Sequence, residues 1–283
     1  MKVEGSTGGE EGVTRKVQKR ELRNGESHNG VKLRAKRRTR RRVQAVSSAG
    51  IQRLFMACKK VFKGPGTVPE PAEVDMLQQL LDKMRPEDVG LSADLVFFKS
   101  KSASKGTPRI TYTTIYKCNN FSMVMFFLPP RAVIPLHNHP GMTVFSKLLL
   151  GSMHIKSYDW IEPTSNGLTQ PDALRLAKKV EDSDFTAPCD TSILYPTTGG
   201  NMHTFTAITA CAVLDVLGPP YSIEEDRDCT YYQDFPYLHH VPHGETDLTA
   251  EQRDKLGWLQ EIEMPKDLKM DGIEYLGPPI IDT

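Results

Sequence analysis

The sequence predicts an all-β-dominated fold, a double-sheet jelly roll or small barrel, with short helices before it. From Arg109 onward, short runs rich in β-branched and aromatic residues alternate with turn signals such as Asn119-Asn120, Pro129-Pro130 and Gly199-Gly200. Many short strands separated by turns favour a jelly roll or barrel over alternating β-α units. A chain of 283 residues has room for one such domain with extensions.

Two apolar patterns with helical spacing come before the predicted strands. The first runs from Ile51 to Phe62 and stops at Gly64, where a glycine favours the end of a helix. The second runs from Val74 to Met84 and ends before Pro86. Residues 47–283 are therefore predicted to form one folded domain that begins with two helices.

The predicted strands occupy most of the chain between residues 110 and 217. They are Ile110 to Cys118, Phe121 to Leu128, Thr143 to Leu150, Ser152 to Trp160, Leu174 to Val180, Ser192 to Tyr195, Met202 to Ile208 and Cys211 to Leu217. Residues 162–172 are expected to form an exposed hairpin excursion. Beyond Pro219-Pro220 the chain is expected to be polar and rich in loops, with one short helix from Thr249 to Leu259.

Residues 1–46 are predicted to be a disordered basic tail. Of the chain's 36 Lys and Arg and 35 Asp and Glu, 14 and 5 fall within residues 1–48, which leaves an acidic body. The tail has too few apolar side chains to offset its ordering entropy. Residues 36–42, KRRTRRR, have the composition of a nuclear import signal or of a nonspecific nucleic-acid patch, with a merely solvated tail as the alternative. No DNA-reading motif accompanies them, so specific nucleic-acid binding is not expected.

Targeting and cysteine patterns predict a soluble protein of the nucleus and cytoplasm. No apolar segment of signal-peptide type follows Met1, and no apolar stretch approaches the roughly 18 residues that cross a bilayer. Early acids at Glu4, Glu10 and Glu11 argue against import into an organelle. The five cysteines are scattered without a CxxC pair, so no structural disulfide is expected. A monomer is the default expectation.

Three histidines have the spacing of a metal-ligand set. His137 and His139 form an H-x-H pair, which on an extended strand points both imidazoles the same way. His203 follows the turn-forming Gly199-Gly200. An H-x-H pair followed about sixty residues later by G-x-x-H is typical of cupin barrels. The pattern therefore predicts a cupin double-stranded β-helix with a metal in the barrel mouth.

The predicted ligand set lacks a carboxylate. Where many cupins carry a glutamate after the second histidine, this chain has residues 142–144, Met-Thr-Val. Three neutral imidazoles leave a divalent ion its full charge, which favours Fe(II) with a substrate that brings an anionic ligand such as a thiolate. Zinc held by three histidines is the open alternative. Of the other histidines, His154 is expected to be an ordinary hydrogen-bonded side chain. The cluster of His239, His240 and His243 is not expected to bind metal, although three close imidazoles could take up an adventitious ion.

Two segments closely resemble a known family. Residues 134–160 read IPLHNHPGMTVFSKLLLGSMHIKSYDW and residues 226–232 read DRDCTYY, and both are similar to the plant cysteine oxidases, a thiol dioxygenase family. The resemblance covers about residues 45–283 and leaves out only the basic tail. It implies an Fe(II) enzyme that adds both atoms of O2 to the N-terminal cysteine of a target protein, giving cysteine sulfinic acid.

The resemblance also implies a biological role. In that family the oxidised terminus enters the arginine branch of the N-degron pathway, which leads to degradation. Substrates include group VII ethylene response factors, which are transcription factors of the hypoxia response. Because O2 is consumed in the reaction, the rate of marking follows the oxygen supply. The resemblance therefore implies that the enzyme acts as an oxygen sensor.

Carried onto this chain, the resemblance assigns the iron to His137, His139 and His203. Asp215 matches a family aspartate that is important for activity, and it is expected to orient the substrate ammonium or to take a proton. An aspartate at a strand edge facing water is the alternative. Tyr221 matches a family tyrosine near the iron and is expected to donate a hydrogen bond to bound oxygen, with an ordinary loop aromatic as the alternative.

Cys229 is a further candidate, because it lies two residues before Tyr231. Related thiol dioxygenases form a cysteine–tyrosine thioether close to the metal, and a free buried thiol that behaves as a small apolar side chain is the simpler expectation. Two other functions stay open for the whole chain. One is a small-molecule cysteine dioxygenase or another metal-cupin enzyme, and the other is a non-enzymatic nuclear binding module.

Overall fold

The structure is a computed structural model that describes residues 49–99, 107–161, 174–240 and 248–282. The predicted basic tail, the predicted excursion at residues 162–172 and His243 lie outside these residues. No helix within the described residues has the length and apolar character needed to cross a membrane.

A helical layer begins the described part of the chain, as predicted. Helix α1 covers residues 49–61, and helix α2 covers Pro71–Asp82. Pro71 begins α2, and the Glu73 carboxylate accepts a hydrogen bond of 3.2 Å from the Glu70 N–H, a favourable start for a helix. A 3-10 turn at Pro86–Val89 and the one-turn helix α3 (Val96–Lys99) lead towards the sheets.

The described residues form twelve strands. In chain order they are β1 (Ile110–Lys117), β2 (Ser122–Leu128), β3 (Val133–His137), β4 (Thr143–Leu150), β5 (Ser152–Trp160), β6 (Arg175–Thr186), β7 (Ser192–Leu194), β8 (Met202–Ala207), β9 (Cys211–Gly218), β10 (Tyr231–Pro236), β11 (Leu256–Ile262) and β12 (Met270–Gly272). Between β9 and β11 lie 3-10 turns at Ile223–Glu225 and Tyr237–His239, and helix α4 (Ala250–Asp254).

These strands form two sheets. The first has the order β12-β1-β2-β9-β4-β7, and the second closes on itself in the order β10-β11-β6-β5-β8-β3. All neighbours are antiparallel except β1 and β12. The predicted cupin double-stranded β-helix is confirmed.

Strand β9 is buried along its whole length, because both of its faces are covered. Ala212, Leu214 and Val216 pack beneath α1 and α2, whereas Cys211 and Val213 pack against the second sheet. A strand covered on both faces is expected to be apolar throughout. This explains why the residues of β9 are apolar, with Asp215 as the charged exception.

The C-terminal segment returns to the first helix. The side chain of Gln52 donates to the Ile281 carbonyl and accepts from the Ile281 N–H, each at 2.8 Å. Asp282 accepts from Lys59 at 2.6 Å and from the Tyr116 hydroxyl at 2.7 Å. These contacts join α1 to residues more than 220 positions away in the chain.

The region after Pro219-Pro220 is more structured than predicted. The predicted helix from Thr249 to Leu259 is wrong beyond its first turn, because α4 ends at Asp254 and Leu256–Ile262 forms β11. Trp258 and Leu259 are buried there, and the Trp258 indole N–H donates to the Tyr237 carbonyl at 3.0 Å. Tertiary pairing thus overrides the local helical pattern. Strands β10 and β12 were not predicted either, the strand expected to carry both His137 and His139 ends at His137, and β6 continues past the predicted end at Val180.

Candidate metal centre

The three predicted ligands come together inside the barrel. His137 ends β3, His139 follows two residues later, and His203 on β8 is the register partner of His137. All three side chains are buried, and their candidate ligand atoms lie within 4.8 Å of one another. The Nε2 atoms of His139 and His203 are 3.4 Å apart. Two β-strands and the loop after β3 therefore present three imidazoles to one point.

The chemistry of this donor set fits a divalent metal ion. Two nitrogens that each lie about 2.1 Å from one ion are expected to be roughly 3 to 3.4 Å apart. Burial lowers the pKa of His137, and it lowers the pKa values of His139 and His203 well below the ordinary value. The rings are therefore neutral at pH 7, which is the form that binds metal.

Hydrogen bonds behind two of the rings turn Nε2 towards the shared point. The His137 Nδ1–H donates to the Pro135 carbonyl at 2.8 Å. The His139 Nδ1 lies 2.9 Å from the Tyr221 hydroxyl, which itself donates to the Asn138 carbonyl at 2.7 Å. An Nδ1–H on each ring satisfies both arrangements, and such bonds behind a ligand orient it.

A second set of bonds holds the backbone of both motifs, and it was missed at the level of sequence. Asn201 accepts from the His139 N–H at 3.1 Å and donates to the His139 carbonyl at 2.9 Å. One oxygen of Asp159 accepts from the N–H groups of Gly200 and Asn201, both at 2.9 Å. A Cβ on Gly200, whose φ is +81°, would lie 2.4 Å from the Ser157 Oγ. The one signal in the sequence was the asparagine directly after the Gly-Gly turn.

A cavity of about 200 Å³ opens beside His203. Apolar side chains from both sheets form much of its wall, and serines at positions 146, 157 and 192 contribute hydroxyl groups. The ring of Phe205 stacks on the ring of His203 with 4.4 Å between centroids. The cavity gives a small ligand access to the His203 imidazole.

Asp215 lies inside the fold. It is 5% exposed, and its strand β9 lies between β2 and β4, so the alternative of a water-facing strand edge is wrong. Its register partner in β4 is Ser146, which lines the cavity. Burial raises the pKa of Asp215 to about 7, and the Ser146 hydroxyl opposes that shift. The Asp215 Oδ1 accepts no hydrogen bond from the described residues.

Tyr221 and Cys229 lie on the other side of His139. The Tyr221 hydroxyl donates to the Asn138 carbonyl and lies in hydrogen-bond distance of the His139 Nδ1. The hydrogen bond predicted from this hydroxyl to bound oxygen stays a prediction. The Cys229 thiol is half-buried, forms no disulfide and interacts with the hydroxyl groups of Tyr221 and Tyr231. Burial raises the pKa of this thiol. The free buried thiol expected for Cys229, with a thioether to Tyr231 as the alternative, also stays a prediction.

The remaining described histidines do not join this set. His154 lies 2.7 Å from Asp184 and 2.9 Å from Asp182, which agrees with the ordinary hydrogen-bonded side chain expected for it. His239 stacks on Phe235, and His240 lies against Trp258.

Fold and site together define a cupin barrel with a three-histidine centre of metal-binding type. The chain belongs to the PCO_ADO family, which matches residues 80–280. It is 50% identical to plant cysteine oxidase 2 of Arabidopsis thaliana, over 87% of this chain and 88% of that protein. It is also 50% identical to plant cysteine oxidase 1 of the same plant, over 82% of this chain and 80% of that protein. The 2-aminoethanethiol dioxygenase of Mus musculus is 28% identical, over 82% of this chain and 96% of the mouse protein.

Proposed function

We propose that this protein, a thiol dioxygenase by family, adds both atoms of O2 to the N-terminal cysteine of target proteins. The thiol becomes a sulfinic acid, and Fe(II) is the metal held by His137, His139 and His203. The observation that carries the proposal is the convergence of three neutral imidazoles, without a carboxylate, beside a cavity of about 200 Å³. Similarity to proteins named plant cysteine oxidase supports the choice of substrate.

The ligand set fits a substrate that supplies negative charge. When bound, a ferrous ion supplies the one-electron chemistry that lets a spin-paired thiol react with O2. His137, His139 and His203 would hold the ion without adding negative charge, which would favour a substrate that brings a thiolate. The cavity beside His203 and Phe205 receives the cysteine and holds its sulfur close to the imidazoles, and this proximity accelerates the reaction.

Asp215 and Tyr221 have different parts in this proposal. A carboxyl group whose pKa is about 7 accepts or releases a proton near neutral pH, so Asp215 takes a proton from the substrate or pairs with its ammonium. Tyr221 acts through His139, because its hydroxyl holds the Nδ1 of that ring.

The proposed biological role is oxygen sensing. Oxidised targets enter the arginine N-degron pathway and are degraded, and group VII ethylene response factors of the hypoxia response are the proposed substrates. Oxygen supply then sets the amount of these targets, because O2 is consumed in each turnover. The basic segment at residues 36–42 brings part of the protein to the nucleus, and the rest stays in the cytoplasm.

A peptide assay tests the proposed activity. Purified protein loaded with Fe(II) is incubated with a peptide that begins with cysteine, under air and under nitrogen. The mass of the product is measured by mass spectrometry. We expect a mass gain of two oxygen atoms under air only. His203→Ala is expected to lose both the bound iron and the mass gain, whereas the matched variant His154→Ala keeps both.

Two further arms separate the alternatives. Free cysteine and 2-aminoethanethiol replace the peptide in one arm, and zinc replaces iron in the other. Faster oxidation of a free thiol than of the peptide would contradict the proposed substrate, and full activity of the zinc-loaded protein would contradict the proposed metal.

A further inference from the structure

Glu181 lies in line with the metal ligands across the second sheet. His203 on β8 is the register partner of Ser157 on β5, and Ser157 is the register partner of Glu181 on β6. Neighbouring strands are about 4.8 Å apart, so Glu181 lies roughly 10 Å from His203. Residues directly opposite each other share one face of a sheet. The half-buried Glu181 accordingly lines the same cavity as His203 and Ser157.

The cavity has acidic but no basic charge on its walls. Among the described residues that line it, Glu181 is the one carboxylate, and there is no lysine or arginine. Asp190 lines a small adjoining space that shares Ser146, Ile155 and Phe205 with the cavity. Ser157 lies between Glu181 and His203, and half of the residues that line the cavity are apolar. Such a site fits an aliphatic side chain that ends in a cation.

The Glu181 carboxylate retains capacity for such a partner. Its Oε1 accepts hydrogen bonds from the Ser183 hydroxyl at 2.6 Å and from the Asp182 N–H at 3.1 Å. Within the described part of the chain, no lysine, arginine or histidine forms an ion pair with Glu181, whereas the neighbouring Asp182 pairs with Lys179 and His154. The second carboxylate oxygen is therefore available to a cationic ligand.

We propose that Glu181 is a specificity-determining residue that pairs with a lysine or arginine one or two positions after the substrate cysteine. An extended peptide advances about 3.3 to 3.6 Å per residue. If its cysteine sulfur lies at the imidazoles, its second and third residues lie about 3.5 and 7 Å beyond the cysteine, so that a long lysine or arginine side chain at either position can extend to Glu181. This inference rests on the proposed oxidation of N-terminal cysteine, and it adds a preference for basic substrates.

A series of peptides tests the preference without any variant. Each begins with cysteine and differs only at position 2 or position 3, which carries Lys, Gln or Glu. We expect kcat/KM for the best Lys peptide to exceed that for the matched Glu peptide about fivefold, mainly through KM, and the difference to shrink in high salt. Calorimetry under nitrogen measures binding of the same peptides without turnover.

Three variants assign the preference to Glu181. Glu181→Gln is expected to remove the difference between Lys and Glu peptides, and Glu181→Lys to reverse it. Asp184→Asn, the matched control, changes the same charge on the other face of β6, where Asp184 contacts His154, and it keeps the wild-type preference. Thermal melting confirms that each variant is folded.

Two results would overturn the assignment. One is equal binding of Lys and Glu peptides by the wild-type protein under nitrogen, and the other is an unchanged preference in Glu181→Gln. Failure of the proposed function has a different signature, because no peptide then gains oxygen under air whatever the binding data show.

Discussion

At the scale of single residues, the metal ligands depend on bonds made behind them. His139 is held through its side chain by Tyr221 and through its backbone by Asn201. His137 is held by the Pro135 carbonyl. A ligand that is fixed in this way loses less freedom when it binds an ion, so these partners are expected to contribute to metal affinity.

Replacing Tyr221 with phenylalanine tests this support. The change removes the hydrogen bond to His139 Nδ1 and keeps the ring, so metal affinity is expected to fall about tenfold or more. Competition with a metal-sensitive chelator measures the affinity. Tyr116→Phe is the matched control, because Tyr116 contacts Asp282 and not the site. Equal affinities for both variants would show that the Tyr221 hydroxyl does not support the ligand.

Asp215 makes a prediction about pH. Its pKa is raised to about 7 in the folded protein, so the folded state binds the proton more tightly than the unfolded state. The stabilisation is therefore complete below about pH 4 and is lost as pH rises towards about 7, by on the order of 4 kcal/mol. Asp215→Asn carries no titratable group at this position, so its stability is expected to lose this dependence on pH.

Unfolding of metal-free protein between pH 4 and pH 8 measures the effect. The difference between wild type and Asp215→Asn isolates the carboxyl group, since the buried histidines contribute equally to both proteins. The exposed Asp75→Asn serves as the control. A constant difference across this range would mean that Asp215 is ionised in the folded protein throughout.

The sequence predicted some site residues and missed others for a physical reason. His137, His139 and His203 lie in short motifs whose local spacing identifies them. Asp159 and Asn201 act through contacts between β5 and the loop before β8, 42 positions apart, and a single sequence does not display such contacts. Glu181 is visible as a functional residue only through the register of three strands.

At the scale of elements, polar contacts among Asp82, Thr191 and Lys147, here called the polar joint, connect the helical layer to the barrel. Asp82, the last residue of α2, accepts from the Thr191 N–H at 2.8 Å and from its hydroxyl at 2.6 Å. Lys147 of β4 is 3% exposed, donates to the Cys189 carbonyl at 2.5 Å and lies 3.7 Å from Asp82. The joint positions residues 189–192, of which Ser192 lines the cavity and Cys189 and Asp190 line the small adjoining space.

Removing Asp82 is expected to weaken this joint. Asp82→Ala leaves the buried Lys147 ammonium without its carboxylate and removes two bonds to Thr191, so the free energy of unfolding should fall by about 2 to 3 kcal/mol. Urea denaturation measures the change. Asp75→Ala, an exposed position in the same helix, is expected to change the value by less than about 0.5 kcal/mol. Similar losses in both variants would mean that the joint contributes little.

The strands that were predicted and those that were missed also differ in kind. Strands β4, β5, β8 and β9 are rich in apolar residues and are bounded by turn signals, so their sequence alone identifies them. Strands β10, β11 and β12 lie in the part of the chain beyond Pro219-Pro220 that is rich in turn-forming residues, and they become strands by pairing with β3, β6 and β1. The helical pattern after Thr249 reflects neighbouring residues alone, and the pairing of β11 with β10 and β6 overrides it.

At the scale of the whole molecule, the residues that determine catalytic activity and those that determine nuclear localisation are predicted to lie in separate parts of the chain. The site, the cavity and the helical layer all fall within the described residues, which begin at residue 49. Deleting residues 1–46 is therefore expected to leave kcat/KM for a cysteine peptide within about twofold, and to reduce the nuclear share of a fluorescent fusion. Loss of peptide oxidation, or an unchanged distribution, would contradict one half of this prediction.

The return of the C-terminal segment to α1 has a consequence for synthesis of the protein. Gln52 and Lys59 are translated more than 220 residues before their partners Ile281 and Asp282. A ribosome releases the chain from its N-terminal end first, so α1 emerges long before these contacts can form. These contacts therefore form only after the strands of both sheets have been synthesised, and a nascent chain halted before residue 281 would carry an incompletely bound helix α1.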